Sequence, residues 1–552
     1  MAIGRNKTRS LLNLRFLASP SGVVAVLTIL AILTRLLPLS ISTWPYNNDG
    51  LTESRVAEDM LKSGRLEYPF GSIDHGAHSL VTPAYNVLLA FGSAVIGSTP
   101  FDIAQFVVAA LSILTVVGGY VIALRISASR TGALSAAMVL ALLGTFVFLT
   151  GSTWKSSIGI SLMILLSLAY MNRSDRRMLV LEVVILVLLP LVHHLVAVIS
   201  YFAIAYLTIW SVAFGFKNKN LSRRHLLDVV VIAVPSAGAY VYYRLASLDR
   251  LSLVDSAIGF GEIVLVCALV IALAEYMLAK KTHFKMTFAP IPAVLAFGFV
   301  VYDHFHPIFP YTPISPWFVV ILVASMSLLI CVAWFGFEVL LETNSRYRAI
   351  PLGLFLPVMT ICAFAVVSGL KLSNLQIVYR TFDFMDIGLA LGIAVTVAHL
   401  ARRRRATNIV AVCLICALLL SFPFGYFTGP LLGVRHDVQQ YEVDALNWTY
   451  SSAGVTRVLN SDERLSYTAS ALYDYEKWPE LPYKLAHNQL PTPYVFNIME
   501  DEWTRTGVNA FPYGHPILNV TLVSLVLDHS NVIYVGGPQH DKITIFYMTN
   551  EE

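Results

Sequence analysis

Trp44–Pro83 reads WPYNNDGLTESRVAEDMLKSGRLEYPFGSIDHGAHSLVTP, and the reading of the whole chain turns on it. It follows an apolar run, Val23–Leu39, of the kind that crosses a bilayer. The stretch itself is rich in Asp, Glu, His and Tyr, far too polar for lipid. A first membrane helix followed by a long acidic loop is therefore the starting point.

Working outward, the 552 residues are 56% hydrophobic and only 13% charged. A soluble protein of that balance would expose large apolar patches, so the chain reads as an α-helical polytopic membrane protein. Further apolar runs lie near 101–126, 132–151, 156–172, 178–192, 195–215, 226–243, 259–279, 287–302, 316–340, 350–370, 382–400 and 408–428. With about 20 residues needed per crossing, the expectation is about thirteen spans. The basic N-terminal segment MAIGRNKTRSLLNLR precedes the first run without a small-residue cleavage site, so that run is expected to be retained.

The distribution of Lys and Arg gives an orientation. Clusters fall at Arg5–Arg15, Arg125/Arg130, Arg173/Arg176/Arg177, Lys217–Arg224, Lys280–Lys285, Arg346/Arg348 and Arg402–Arg405. All of them land in the cytoplasm if the N-terminus is inside and Pro83–Gly97 does not cross, lying instead as a juxtamembrane helix. The expected location is the cell membrane, with the acidic loop and the C-terminus outside. Residues 1–429 form the membrane module, with a working loop over 40–100. Residues 430–552 turn polar and Tyr-rich, and TRVLN, VTLVSLVL, NVIYVG and KITIFYM read as strands of a small soluble α/β domain. Cys267, Cys331, Cys362, Cys413 and Cys416 all sit in apolar runs, where packing accounts for them.

Asp49 stands just beyond the first span, at the head of a segment whose Leu51, Val56, Ala57, Met60 and Leu61 suit an amphipathic helix on the membrane surface. Within Asn-Asn-Asp-Gly it reads as the helix N-cap, as a carboxylate held at the bilayer boundary, or as both. The order of parts then resembles a known family. Asp49 in the first outer loop, Met60-Leu61-Lys62-Ser63-Gly64, the Pro83-led helix to Gly97 and the basic Arg125/Arg130 loop together look like the GT-C superfamily of membrane glycosyltransferases. Within it, protein O-mannosyltransferases and lipid A aminoarabinose transferases are the most similar in layout. The resemblance implies a polyprenyl-phosphate sugar donor, inversion at the anomeric carbon, and transfer of a single sugar to a glycan, lipid or protein acceptor outside the cytoplasm. Two departures stand out. Gly50 follows the Asp where many members have Glu, and the C-terminal domain lacks a Trp-Trp-Asp-x-Gly signature, which argues against en bloc transfer to Asn.

That chemistry assigns the remaining polar residues. A base must take the acceptor's proton: Asp49, with Glu53 second and Glu58 a further substrate-contacting acid. The leaving phosphate needs fixed positive charge. Lys155, Lys371 and Arg380 are candidates at outer helix ends, with Asp383 and Asp386 placed to orient Arg380. Arg35, in the outer third of the first span, is costly in lipid and is expected to face the protein interior, there to pair with an acid or touch the donor phosphate. His75 and His78 in the first loop and His193-His194 between two spans are candidate phosphate or sugar contacts. Asp74-His75-x-x-His78 is a weak metal-ligand pattern, so a divalent cation, Mg or Mn, stays open. Asp462-Glu463-Arg464 reads as a surface turn. A lipid-linked-glycan flippase or transporter is the alternative, but few ionisable residues fall mid-span: Glu182, Asp228 and Glu262 lie nearer span ends. A glycan polymerase or ligase is a third reading.

Overall fold

The computed structural model describes residues 19–65, 82–217, 223–245, 290–306, 317–342, 347, 349–367, 381, 383–401, 403–427, 435–452, 458–508, 510 and 516–549. Its first half is a helical bundle. In chain order the helices are α1 (Pro20–Leu36), α2 (Asn48–Ser63), α3 (Ala84–Ile96), α4 (Pro100–Ser127), α5 (Arg130–Leu142), α6 (Gly144–Gly151), α7 (Lys155–Met171), α8 (Arg176–Val192) and α9 (His194–Lys217). Then come α10 (Arg223–Leu245), α11 (Pro290–Phe305), α12 (Trp317–Glu342), α13 (Ala349–Val367), α14 (Met385–Leu400) and α15 (Arg404–Ser421).

Among the described residues, six helices are long and apolar enough to cross a membrane, or seven if the bent pair α5–α6 is one span. The expected thirteen is not reached among them. Several runs that looked like full crossings are short helices, such as Lys155–Met171 and Met385–Leu400, and the run at 259–279 lies outside the described residues. The run 132–151, expected to be one span, is broken: α5 and α6 meet at 61°. The break is at Leu143, whose backbone is extended, and Gly144 lies so close to the Ser421 carbonyl that a Cβ would sit 1.8 Å from that oxygen. Apolar composition could not reveal this, because a kinked helix and a straight one have the same hydropathy.

The bundle is sealed by small residues. Ala133, Ala136, Ala137 and Ala141 of α5 join the main apolar core together with Ala390 and Ala394 of α14. A Cβ at Gly132 would meet the Ala394 carbonyl, and one at Gly336 that of Gly392, so these backbones approach as helices do where van der Waals packing holds them. The opposite side of α1, with Ile29 and Leu33, is exposed, as a lipid-facing surface would be.

Residues 435–549 carry α16 (Gln440–Ser452), α17 (Glu463–Tyr473), α18 (Leu481–Ala486) and α19 (Val520–Asp528) around a five-stranded sheet. The strands are β1 (Val458–Asn460), β2 (Glu476–Trp478), β3 (Phe496–Glu500), β4 (Asn531–Gly536) and β5 (Ile543–Tyr547), in the order β2-β1-β3-β5-β4. β1 runs parallel to both β2 and β3, while β5 is antiparallel to β3 and β4. VTLVSLVL, expected to be a strand, is helix α19. Asn519 caps it through a bond from the Thr521 N–H, and only Val523 and Val526 are buried, at the spacing of one helical turn. An almost wholly apolar octapeptide does not distinguish the two periods.

Helix α2 is held between the two regions. Its Leu51 is fully buried with Val438, Val443 and Ala471 of the C-terminal region, flanked by Trp44 and Phe101. Its other face, through Ala57, packs with Tyr85, Leu89 and Ala104. Arg55 pairs with Asp59 at 3.2 Å and Asp474 at 3.4 Å, and donates to the Ala471 carbonyl at 3.3 Å. The expected surface helix is thus an interface helix.

Candidate active site

The start of α2 is built by the Asn-Asn-Asp-Gly sequence. Asn47 adopts φ 92°, a conformation Asn tolerates better than most residues, and its Oδ1 accepts the Asp49 N–H at 3.0 Å. Asn47, not Asp49, is therefore the N-cap. Asp49 lies in the first turn, half-buried, where a carboxylate complements the positive end of the helix. A Cβ on Gly50 would fall 1.8 Å from Thr153 Oγ1, and Thr153 itself bonds the Tyr46 carbonyl through its N–H (3.1 Å) and hydroxyl (2.7 Å). The glycine that departs from the family pattern is thus what lets α2 seat on the link between α6 and α7. At the far end Gly64, at φ 67°, returns its N–H to Met60, so Met60–Gly64 is the helix stop.

Four residues past Asp49, on the same helical side, Glu53 is buried. Lys155 Nζ lies 2.9 Å from its Oε1 and also donates to Thr82 Oγ1 at 2.9 Å. The Asn86 amide donates to the Glu53 carboxylate and, at 3.0 Å, to its backbone carbonyl. Two candidates, the second acid and a phosphate clamp, are thus brought together as a buried ion pair tying α2, α3 and α7. Both side chains are thus held against each other at this corner of the structure. His193 ends α8 beside this corner, its Nε2 3.5 Å from Ser156 Oγ, and its ring stacks on His194 with centroids 4.8 Å apart.

Arg35 faces the protein interior, as a cation within a span is expected to. It is fully buried, and its guanidinium donates to Thr34 (2.9 Å), twice to Thr150 (3.1 and 2.8 Å), and to the carbonyls of Ala141 (2.6 Å) and Leu140 (2.9 Å). All five of its N–H groups are engaged. Arg35 satisfies the carbonyls released where α5 breaks. Glu58 lies roughly 13 Å further along α2 than Asp49 and pairs with Lys62 at 3.0 Å, so it is removed from this end. His75, His78, Lys371 and Arg380 lie outside the described residues. Of the acids expected to orient Arg380, Asp386 is buried and accepts from Thr145 Oγ1 at 2.7 Å. Among the described residues, no group of three or more His, Cys, Asp or Glu side chains is placed to hold a metal.

The C-terminal region supplies residues that sequence reasoning missed. Residues 435–440 run along the start of the acidic segment: the His436 carbonyl accepts the Asn47 N–H at 3.0 Å, Ser42 bonds the Val438 carbonyl, and Gln439 donates to the Ile41 carbonyl at 3.3 Å. The His436 ring lies 5.0 Å from Phe148 and 6.2 Å from Tyr46. Behind this segment Arg435 reaches Glu442 (3.1 Å), Glu502 (3.0 Å) and Asp541 (2.9 Å), and Arg464 reaches Glu442 (2.7 Å) and Glu500 (2.6 Å). Asp462-Glu463-Arg464 is therefore not a surface turn. Asp462 caps α17, and both it and Arg464 are buried. Burial pushes the Asp462 carboxyl up to about 6. Burial pushes Glu500 up as well, but Arg464, a hydrogen bond with Glu442 and Arg435 together outweigh it and hold Glu500 down at about 2. The one signal for Asn86 was a lone amide in an apolar run. For His436 there was none, because its place depends on a contact with a segment nearly four hundred residues earlier.

No family model matches the chain, and no curated protein matches it by sequence. Solved structures do. The oligosaccharyltransferase of Archaeoglobus fulgidus, in a complex with zinc and sulfate, aligns over 96% of this chain and 73% of its own, at TM-score 0.55 and 14% identity. Its apo form aligns over 83% and 64%, at TM-score 0.52 and 14% identity. A mycobacterial arabinofuranosyltransferase, AftD, aligns over 96% of this chain and 41% of its own, at TM-score 0.47 and 13% identity. The chain thus shares the fold of the archaeal oligosaccharyltransferase.

Proposed function

We propose that this chain is an inverting membrane glycosyltransferase that moves one sugar from a polyprenyl phosphate onto an acceptor glycan, lipid or protein outside the cytoplasm. The observation that carries the reading is the position of Asp49. It is a half-buried carboxylate in the first turn of a helix clamped between a membrane bundle and a polar C-terminal region. The GT-C fold supports it. In the reaction the acceptor hydroxyl oxygen attacks the anomeric carbon, the bond from that carbon to the phosphate oxygen breaks, Asp49 takes the hydroxyl proton, and polyprenyl phosphate leaves with the bonding pair. The topology that goes with this reading has about thirteen spans, the N-terminus in the cytoplasm, and both α2 and the C-terminal domain outside. The buried Glu53–Lys155 pair fixes the helix that carries the base.

The test is to incubate purified protein with a labelled polyprenyl-phosphate sugar and follow release of polyprenyl phosphate. Release that depends on an acceptor and is lost in Asp49→Asn supports the reading. Movement of intact lipid-linked sugar across a vesicle membrane without release makes the chain a flippase, and release of a pyrophosphate-linked lipid makes it a polymerase or ligase. Repeating the assay with EDTA, then adding back Mg or Mn, settles the metal.

A further inference from the structure

The C-terminal region carries the triplet Asn-x-Thr twice, at Asn447-Trp448-Thr449 and at Asn519-Val520-Thr521. This is the acceptor pattern for N-linked glycans, and a transferase must meet the asparagine amide and the hydroxyl two residues on together. The fold treats the two copies differently. Asn447 and Thr449 both lie within helix α16, where residues two apart do not share a face. Asn447 is exposed, but Thr449 is fully buried and its hydroxyl donates to the Ala445 carbonyl at 2.8 Å.

Asn519 is instead the N-cap of α19, at the edge of the helix, and its Oδ1 accepts the Thr521 N–H at 2.9 Å. That bond folds the Asn519 side chain back over Thr521, and both residues are exposed. The cap engages the amide oxygen, whereas glycosylation engages the amide nitrogen. A sugar on Nδ2 therefore leaves the start of the helix as it is. The surroundings suit a covered position. Ile517 and Val520, on either side of Asn519, are 56% and 59% exposed. Apolar side chains open to water favour association, and a bulky hydrophilic glycan beside them is a cover.

We propose that Asn519 carries an N-linked glycan and that Asn447 does not. The co-reactant is a lipid-linked oligosaccharide, used by a transferase of the same cell. The Asn519 Nδ2 bonds to the anomeric carbon, the bond from that carbon to the lipid phosphate oxygen breaks, and the lipid phosphate leaves with the bonding pair. One Nδ2 proton passes to a base of the transferase. The modification needs the C-terminal region outside the cytoplasm, so it rests on the topology that goes with the glycosyltransferase reading.

The experiment measures the intact mass of the full chain purified from the membranes of its own cells and maps the modified residue on proteolytic peptides. The expected result is one glycan at Asn519. Thr521→Ala should abolish it while keeping the cap, whose donor is a backbone N–H. Thr521→Ser keeps a hydroxyl and should retain the glycan, as should Asn447→Gln. An unmodified mass, a glycan that survives in Thr521→Ala, or one at Asn447 overturns the assignment. Labelling of Asp528→Cys, an exposed position, by a membrane-impermeant maleimide in intact cells reports the topology separately. No labelling above the wild-type background overturns that topology, and this proposal with it. Labelling without a glycan overturns only this proposal.

Discussion

Asp49 and Glu53 are four residues apart on one helix, yet the protein uses them differently. Glu53 is sealed against Lys155 and Asn86, with Thr82 accepting from Lys155 in turn, whereas Asp49 lies in the half-buried first turn. Under the proposed reaction, Asp49→Asn should lower the transfer rate by about 10²-fold or more with little change in thermal stability, because loss of a general base has that size. Transfer at the wild-type rate would remove it as the base. The Glu53–Lys155 pair makes the opposite prediction. Glu53→Gln or Lys155→Met alone leaves one charge buried without its ionic partner and should destabilise by about 3–5 kcal/mol. The double variant should lose less than the two singles combined, as unfolding of the detergent-solubilised protein would show. Strictly additive losses would mean that the two side chains do not depend on each other.

At the scale of elements, two places show structure that hydropathy does not encode. One is the break between α5 and α6, where Arg35 donates to the carbonyls of Leu140 and Ala141 and to Thr150. Lysine offers three donors in a different geometry, so Arg35→Lys should leave buried carbonyls unsatisfied. It should cost about 1–3 kcal/mol for each lost bond, measured as a fall in melting temperature. The other is the seat of α2 on Thr153. Gly50→Ala places a methyl group where the Thr153 side chain already is, with the Thr153 carbonyl only 2.8 Å away, so α2 must shift. The expected result is lower activity together with lower stability, in contrast to Asp49→Asn. A variant indistinguishable from wild type in both would show that the helix does not sit this close. The run 132–151 misled because it is mostly apolar and carries no charge, while the close approach of Gly144 to Ser421 marks where it bends.

At the scale of the whole molecule, the C-terminal region is tied to the bundle through residues 435–440 and Arg55, and its own interior is organised by two arginines among acids. Glu500, held at about 2 in the folded state against about 4.3 when unfolded, stabilises fully above pH 4.3, and that contribution disappears as the pH falls through 2. Arg464→Met removes its main ionic partner. The difference in stability between wild type and variant should therefore be largest near neutral pH and shrink as the pH drops from about 4.5 toward 2. A difference that stays constant over that range would show that Arg464 acts through packing alone. The sequence determined the class of molecule, the acidic helix after the first span and its likeness to GT-C enzymes, because apolar runs, charge clusters and turn residues act locally. Only the tertiary structure decided which charges are held as buried pairs, where a span breaks and that His436 lies beside the Asp49 turn. Each of those depends on two segments far apart in the chain meeting in space, and no local pattern records such a meeting.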